Sequence, residues 1–238
     1  MLDPSSHVSL DPSAAHTRRG GQSAVTDTLP DLLLVERARG GEARAIEALA
    51  RRYGRRLFRV ARSVLADEEA AELAVQEALL EAFGELNRHP LSGKFAAWLT
   101  RLAFAHARAQ RGAARAAPGP APRPLPGAPE ASDGETEERR ELEHAIEALP
   151  EVFRTVFVLR VVEGISGIET AASLGVHETT VRTRIYRAQR RLGPETMRRV
   201  RLASTLLELP PARLERIVKR VLAPRPHGSM LTISTSPP

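Results

Sequence analysis

Thr179, Arg182, Thr183 and Tyr186 recur at spacings of three, one and three, which puts all four on one side of a helix, and Arg184, Arg187, Arg190 and Arg191 add positive charge along it. An arginine fork can donate two bonds to a guanine edge. Threonine can bond a base edge or touch a thymine methyl, and flanking arginines can hold phosphates. Together these residues, Thr179, Arg182, Thr183, Tyr186 and Arg187, are equipment for reading duplex DNA from the major groove. The plainer reading of basic residues alone is a solvated helix face, so the elements that carry them decide between the two.

Those elements lie in ISGIETAASLGVHETTVRTRIYRAQRRL, residues 165–192. Ser166 and Glu169 have the spacing of a capping box, which predicts a helix starting at Ser166. Ile168, Ala171, Ala172 and Leu174 are expected on its apolar side. Gly175 supplies a residue able to take positive φ and end the helix. The next helix is expected to begin near His177. Its Val181, Ile185, Ala188 and Leu192 recur every three or four residues and give it one core-facing stripe. Cap, glycine turn and one-sided basic face together predict a helix-turn-helix whose second helix enters a groove.

The chain of 238 residues is long enough for two small domains, and 42% hydrophobic residues can build modest cores. Its formal charge of +6 favours a polyanionic partner. Segment 31–112 carries about +3, and the tail beyond Leu192 about +5. There is no cysteine, which excludes disulfides and cysteine-ligated zinc, and the 7 histidines lack metal-ligand spacing, so no cofactor or metal is expected. No nucleophile, base and acid constellation points to an enzyme. No apolar run approaches the roughly 18 residues of a membrane span, and the N-terminus lacks the pattern of an export signal, so a soluble, cytoplasmic protein is expected.

In chain order, residues 1–30 are polar, proline-containing and aperiodic, and read as a disordered extension. From Asp31 an all-α domain is expected to run to Gly112. A short apolar helix ends at Gly40 and Gly41. A long amphipathic helix follows, on which Ile46, Leu49, Tyr53, Leu57, Val60 and Val64 step by three or four. Asp67, Glu68 and Glu69 favour the start of a third helix. Its inner face is Val75, Leu79, Phe83 and Leu86, while Leu73, Gln76, Glu77 and Leu80 lie around another side, suited either to bundle packing or to a docked partner. After a loop, FAAWLTRLAFAHARAQR carries the single tryptophan with Lys94, Arg101, Arg108 and Arg111. Trp98 there reads either as core or as a platform for an unpaired base.

Residues 113–137, with six prolines, read as a flexible linker. A helical second domain is expected over 138–192. The remainder, 193–238, contains a break at Pro210 and Pro211, then a short amphipathic helix bearing Leu214, Ile217, Val218, Val221 and Leu222.

Laid out this way, the chain resembles the extracytoplasmic-function group of bacterial RNA polymerase sigma factors, over about Leu33 to Gly112 and Leu142 to Leu192. RARGGEARAIEAL, ADEEAAELAVQEALLEAF and KFAAWLTRLA are similar to that family's polymerase-binding and promoter-melting regions. ALPEVFRTVFVLRVVEGISGIETAASLGVHETTVRTRIYRAQRRL is similar almost position for position to its minus-35-binding domain. The resemblance implies an all-α pair of domains that brings core RNA polymerase to promoter DNA, with an anti-sigma factor as a further partner. It places Glu72, Gln76, Glu77 and Leu80 on the polymerase surface. Arg182, Thr183 and Tyr186 would lie at the minus-35 element, and Lys94, Trp98 and Arg101 near the melted minus-10 strand. Leu73 and Ala105 stand where the family usually has aspartate and asparagine, and His177 replaces a serine cap. The competing function is a stand-alone helix-turn-helix regulator. The first domain and the lack of a heptad seam argue against it.

Overall fold

The computed structural model describes residues 29–88, 94–116, 133–203 and 205–223. Within them every regular element is a helix. The expected N-terminal extension up to residue 28 and the last residues from 224 lie outside this range, as do most of the linker, 117–132, and the loop 89–93.

Helix α1 (Asp31–Arg39) starts with an acidic residue and ends with basic ones, matching the sign of its dipole at both ends. Helix α2 (Ala43–Arg62) is followed by α3 (Glu68–Glu85), whose cap Asp67 accepts a bond from the Ala70 N–H at 2.7 Å. Helix α4 spans Phe95–Ala116. These helices close around a core in which Leu34, Leu49, Leu57, Phe58, Leu79 and Leu99 are fully buried. Trp98 is half-buried against this core, 5.8 Å from Phe95, which meets Tyr53 edge-on at 5.6 Å.

Helix α5 (Asp133–Glu147) stops before Pro150, and α6 (Glu151–Phe157) leads into a π-helical turn, Val158–Val162. The helix-turn-helix follows as α7 (Gly167–Leu174) and α8 (Glu178–Leu202). Leu142, Ile146, Phe157, Val158 and Ala188 form the second core. Helix α9 (Pro211–Leu222) returns to the first domain, packing on α2 and α3.

Three expectations change. The segment read as linker is partly helical, because the alanine-rich run after Gly112 continues α4 and the acidic run from Asp133 starts α5. The extension after Leu192 is itself helical at its start: α8 breaks at Gly193, with φ 76°, and a further helical stretch resumes through Pro194, which is well suited to a first turn. Ile168 is 72% exposed rather than on the core side of α7, where Thr170, Ala171 and Ser173 are buried instead.

The two domains touch directly. Val60 of α2 shares a buried cluster with Leu159 and Ile165. Around it Arg59 meets Glu163 at 2.6 Å, Arg62 meets Glu147 at 2.8 Å, and Ser63 Oγ donates to Thr155 Oγ1 at 3.0 Å. Arg59 and Glu163 are almost fully buried. No helix among the described residues is long and apolar enough to cross a membrane.

Candidate nucleic-acid interface

The turn between α7 and α8 forms as its residues dictate. Ser166 Oγ accepts from the Glu169 N–H at 3.1 Å, one half of the capping box. The Glu169 carboxylate reaches instead to Arg56 of α2, at 3.0 Å. Gly175 sits in the left-handed region, φ 65° and ψ 36°, and its N–H returns to the Ala171 carbonyl, closing α7. Val156, Ala171 and Val181 lock the two helices together.

Helix α8 presents the expected face. Arg182 is 76% exposed along its side chain, with its guanidinium 3.4 Å from Glu178 on the same helix. Thr183, exposed, donates its hydroxyl hydrogen to the Thr179 carbonyl at 3.0 Å, which leaves its oxygen free to accept. Tyr186 is 59% exposed, and the Arg190 guanidinium lies 5.9 Å from its ring centroid. Thr179 and Arg187 are exposed as well. The weak point is the start of the helix. His177 takes extended cap geometry, yet its side chain makes no capping bond. His177→Ser should therefore stabilise the domain by about 1 kcal/mol, measured as a higher denaturant midpoint at unchanged slope. An unchanged midpoint would mean that water already satisfies those amides.

The residues expected at a melted strand are split. Lys94 is exposed just ahead of α4 and Trp98 is half-buried. Arg101 is taken up by the second domain, its Nη2 donating to the Ala172 carbonyl at 2.6 Å. That carbonyl lies near the negative end of α7, where a cation is favoured. Ala105 is exposed and offers a base no hydrogen bond.

On α3, Glu72, Gln76 and Leu80 form one row at intervals of four, with Gln76 Nε2 donating to Glu72 Oε1 at 3.2 Å. Glu77 lies around the helix from that row and faces α4, accepting from Gln110 at 3.0 Å with His106 at 3.4 Å. Leu73 is 48% exposed, in a depression of about 320 Å³ lined also by Glu69, Glu72, Gln76 and Arg216. Glu72 itself is only 6% exposed. Arg216 grips its carboxylate at 2.9 and 2.6 Å, and Arg213 adds a bond of 2.9 Å. Burial pushes the Glu72 carboxyl up, but the bonds from Arg216 and Arg213 outweigh it and hold the group below the ordinary carboxylate range. The stability these bonds give is present above the usual carboxylate pKa and is lost as pH falls through the lower folded one. The basic tail is evident in the sequence but this grip is not, because nothing local joins Arg213 and Arg216 to a carboxylate more than a hundred residues earlier.

Residues 49–112 match the profile of Sigma-70 region 2, and residues 139–192 match that of Sigma-70, region 4. The chain is 30% identical over 173 residues to the RNA polymerase sigma-H factor of Pseudomonas aeruginosa, covering 67% of this chain and 90% of that protein. The chain belongs to the extracytoplasmic-function sigma factors. It is also 28% identical over 179 residues to the ECF RNA polymerase sigma-E factor of Escherichia coli, with coverage of 69% and 93%. Among solved structures it is similar to CnrH, in complex with the cytosolic domain of CnrY, at TM-score 0.53 and 27% identity over 68% of this chain and 94% of that one. In this sigma factor region 2 takes in most of α2 and α4 and the whole of α3, while region 4 runs from α5 to the break at Gly193. The sequence from Gly193 onward lies outside both regions.

Proposed function

We propose that this sigma factor binds core RNA polymerase through the α3 row Glu72, Gln76 and Leu80, with Glu77 beside it, and directs the enzyme to promoters that α8 reads at the minus-35 element. The observation that carries this reading is the exposed face of the second helix, set by the capped first helix and the left-handed glycine turn before it, and bearing Arg182, Thr183 and Tyr186. Arg182 leaves Glu178 for a base edge, an exchange that costs little because an exposed ion pair of this spacing is weak. Thr183 offers its methyl to a thymine, and Tyr186 and Arg187 carry the contact along the groove. Lys94, Trp98 and Arg101 receive the melted minus-10 strand once Arg101 has left Ala172. Base selection there relies on stacking and charge, since Ala105 and Leu73 bring no hydrogen-bonding group. The chain works in the cytoplasm, without covalent chemistry of its own. An anti-sigma protein is proposed as a further partner, supported by the similarity to CnrH, which was solved with a second protein bound.

The test compares two arginines in holoenzyme on randomised minus-35 sequences at two salt concentrations. Arg182→Ala should lose about 1 to 3 kcal/mol and relax preference at one position. Arg190→Ala should weaken all sequences alike and reduce the salt slope by about one charge. Uniform loss without a change of preference in the Arg182 variant would remove it as a reader and leave Thr183 and Tyr186 in that role.

A further inference from the structure

The chain beyond the recognition helix is built into both domains. Leu206 and Leu207 are buried in the second core, whereas Leu209, Ile217 and Val218 are buried in the first. Its backbone is pinned from both sides: Arg59 Nε of α2 donates to the Leu206 carbonyl at 2.9 Å, and the Leu207 N–H donates to Glu143 of α5 at 2.9 Å. A tail trailing loosely from α8 would bury nothing on α2 and α3. This one crosses from one domain to the other and ends as a helix on the first.

Where α9 lands matters more than that it lands. Its Leu214 fills the space left by Gly54 of α2, where even a Cβ would come within 2.8 Å of Leu214 Cδ1. Arg216 and Arg213 close over Glu72, and Arg213 also meets Glu68 at 3.1 Å. The N-terminal end of the Glu72, Gln76 and Leu80 row is thus already occupied, by charge-assisted bonds from the same chain. The contact between α7 and α4 has the character of a separable surface. Thr170 and Ser173 of α7, the helix packed on α4, are fully buried, and their hydroxyls have no partner among the described residues. Buried polar groups without partners oppose the state that buries them.

We infer that residues 205–222 are an intramolecular latch, in which α9 holds Glu72 through Arg213 and Arg216 and must leave before core polymerase can take the α3 row. The inference rests on the reading of that row as the docking face. A latch of this kind lowers the apparent affinity for polymerase by the fraction of time its seat is open, and leaves the intrinsic contact unchanged. Nothing outside the chain is required to impose it.

The experiment measures binding of the full-length protein to core polymerase by fluorescence anisotropy, with helicity and melting recorded for every variant. Two releases approach the seat from opposite sides. Arg213→Ala with Arg216→Ala removes the grip, and Gly54→Leu fills the place of Leu214 without touching the α3 row. Each should bind polymerase about tenfold more tightly than the natural chain. The reverse variant exploits the absence of cysteine. Arg51→Cys with Glu215→Cys replaces an ion pair between α2 and α9 that spans 2.6 Å, and a cleavable bismaleimide closed across the two thiols before polymerase is added locks α9 down. The locked form should bind about tenfold more weakly and recover when the cross-link is cut. If the released and locked forms bind as the natural chain does, α9 is a structural brace and the latch is overturned while the docking reading stands. If no form binds polymerase, the docking reading itself fails, and the latch with it.

Discussion

Glu163→Ala should destabilise the protein by about 3 to 5 kcal/mol, because it strands the Arg59 guanidinium in the contact between the domains. Both side chains are about nine-tenths buried and meet at 2.6 Å. Arg59 keeps its bond to the Leu206 carbonyl, but a carbonyl dipole does not replace a carboxylate for a desolvated cation. Arg56 is less affected, since it retains Glu169. Glu163→Gln should recover part of the loss by preserving an acceptor. Urea unfolding of the three proteins measures the difference, and a loss below about 1 kcal/mol for the alanine variant would mean that water enters the contact and screens the pair.

Phe157→Ala should cost about as much, roughly 3 to 5 kcal/mol, for a different reason. Phe157 is fully buried in the second core at the junction between α6 and the π-turn. Truncation leaves a cavity there, and the turn on one side limits how far the helix can collapse into it. That loss is a large part of what a domain of this size has available. The single tryptophan separates the two domains in the readout, since Trp98 packs against the first core. The helical signal of the variant should fall at lower denaturant than its tryptophan emission changes. Phe157→Leu, which keeps most of the volume, should shift both far less. Coincident transitions in the alanine variant would show that the domain contact couples the cores into one unit.

The local features were legible in the sequence because their causes are local. Ser166 and Gly175 take the cap and the left-handed turn that their side chains prescribe, and Asp67 caps α3. Arg182 and Tyr186 lie on the exposed face because Val181 and Ala188 occupy the other. Ile168 faces solvent against its spacing because an eight-residue helix contains too few apolar positions to fix the phase of a 3.6-residue period. The residues that join the domains escaped for another reason. Arg56, Arg59 and Arg62 read locally as the solvated side of an amphipathic helix, and only the fold brings Glu169, Glu163 and Glu147 to them. Arg101 was expected to wait for DNA, and instead bonds a carbonyl that no sequence pattern announces.

The covalent path from α8 through Leu206 and Leu207 to α9 has a consequence for dosage. A helix on so short a tether meets its seat at an effective concentration of about millimolar, whatever the amount of protein in the cell. An inhibitor encoded separately can be outnumbered when its target is overproduced. One carried on the same chain keeps a one-to-one ratio at every expression level. Raising the abundance of this protein would multiply closed and open molecules alike, and would never titrate the brake away.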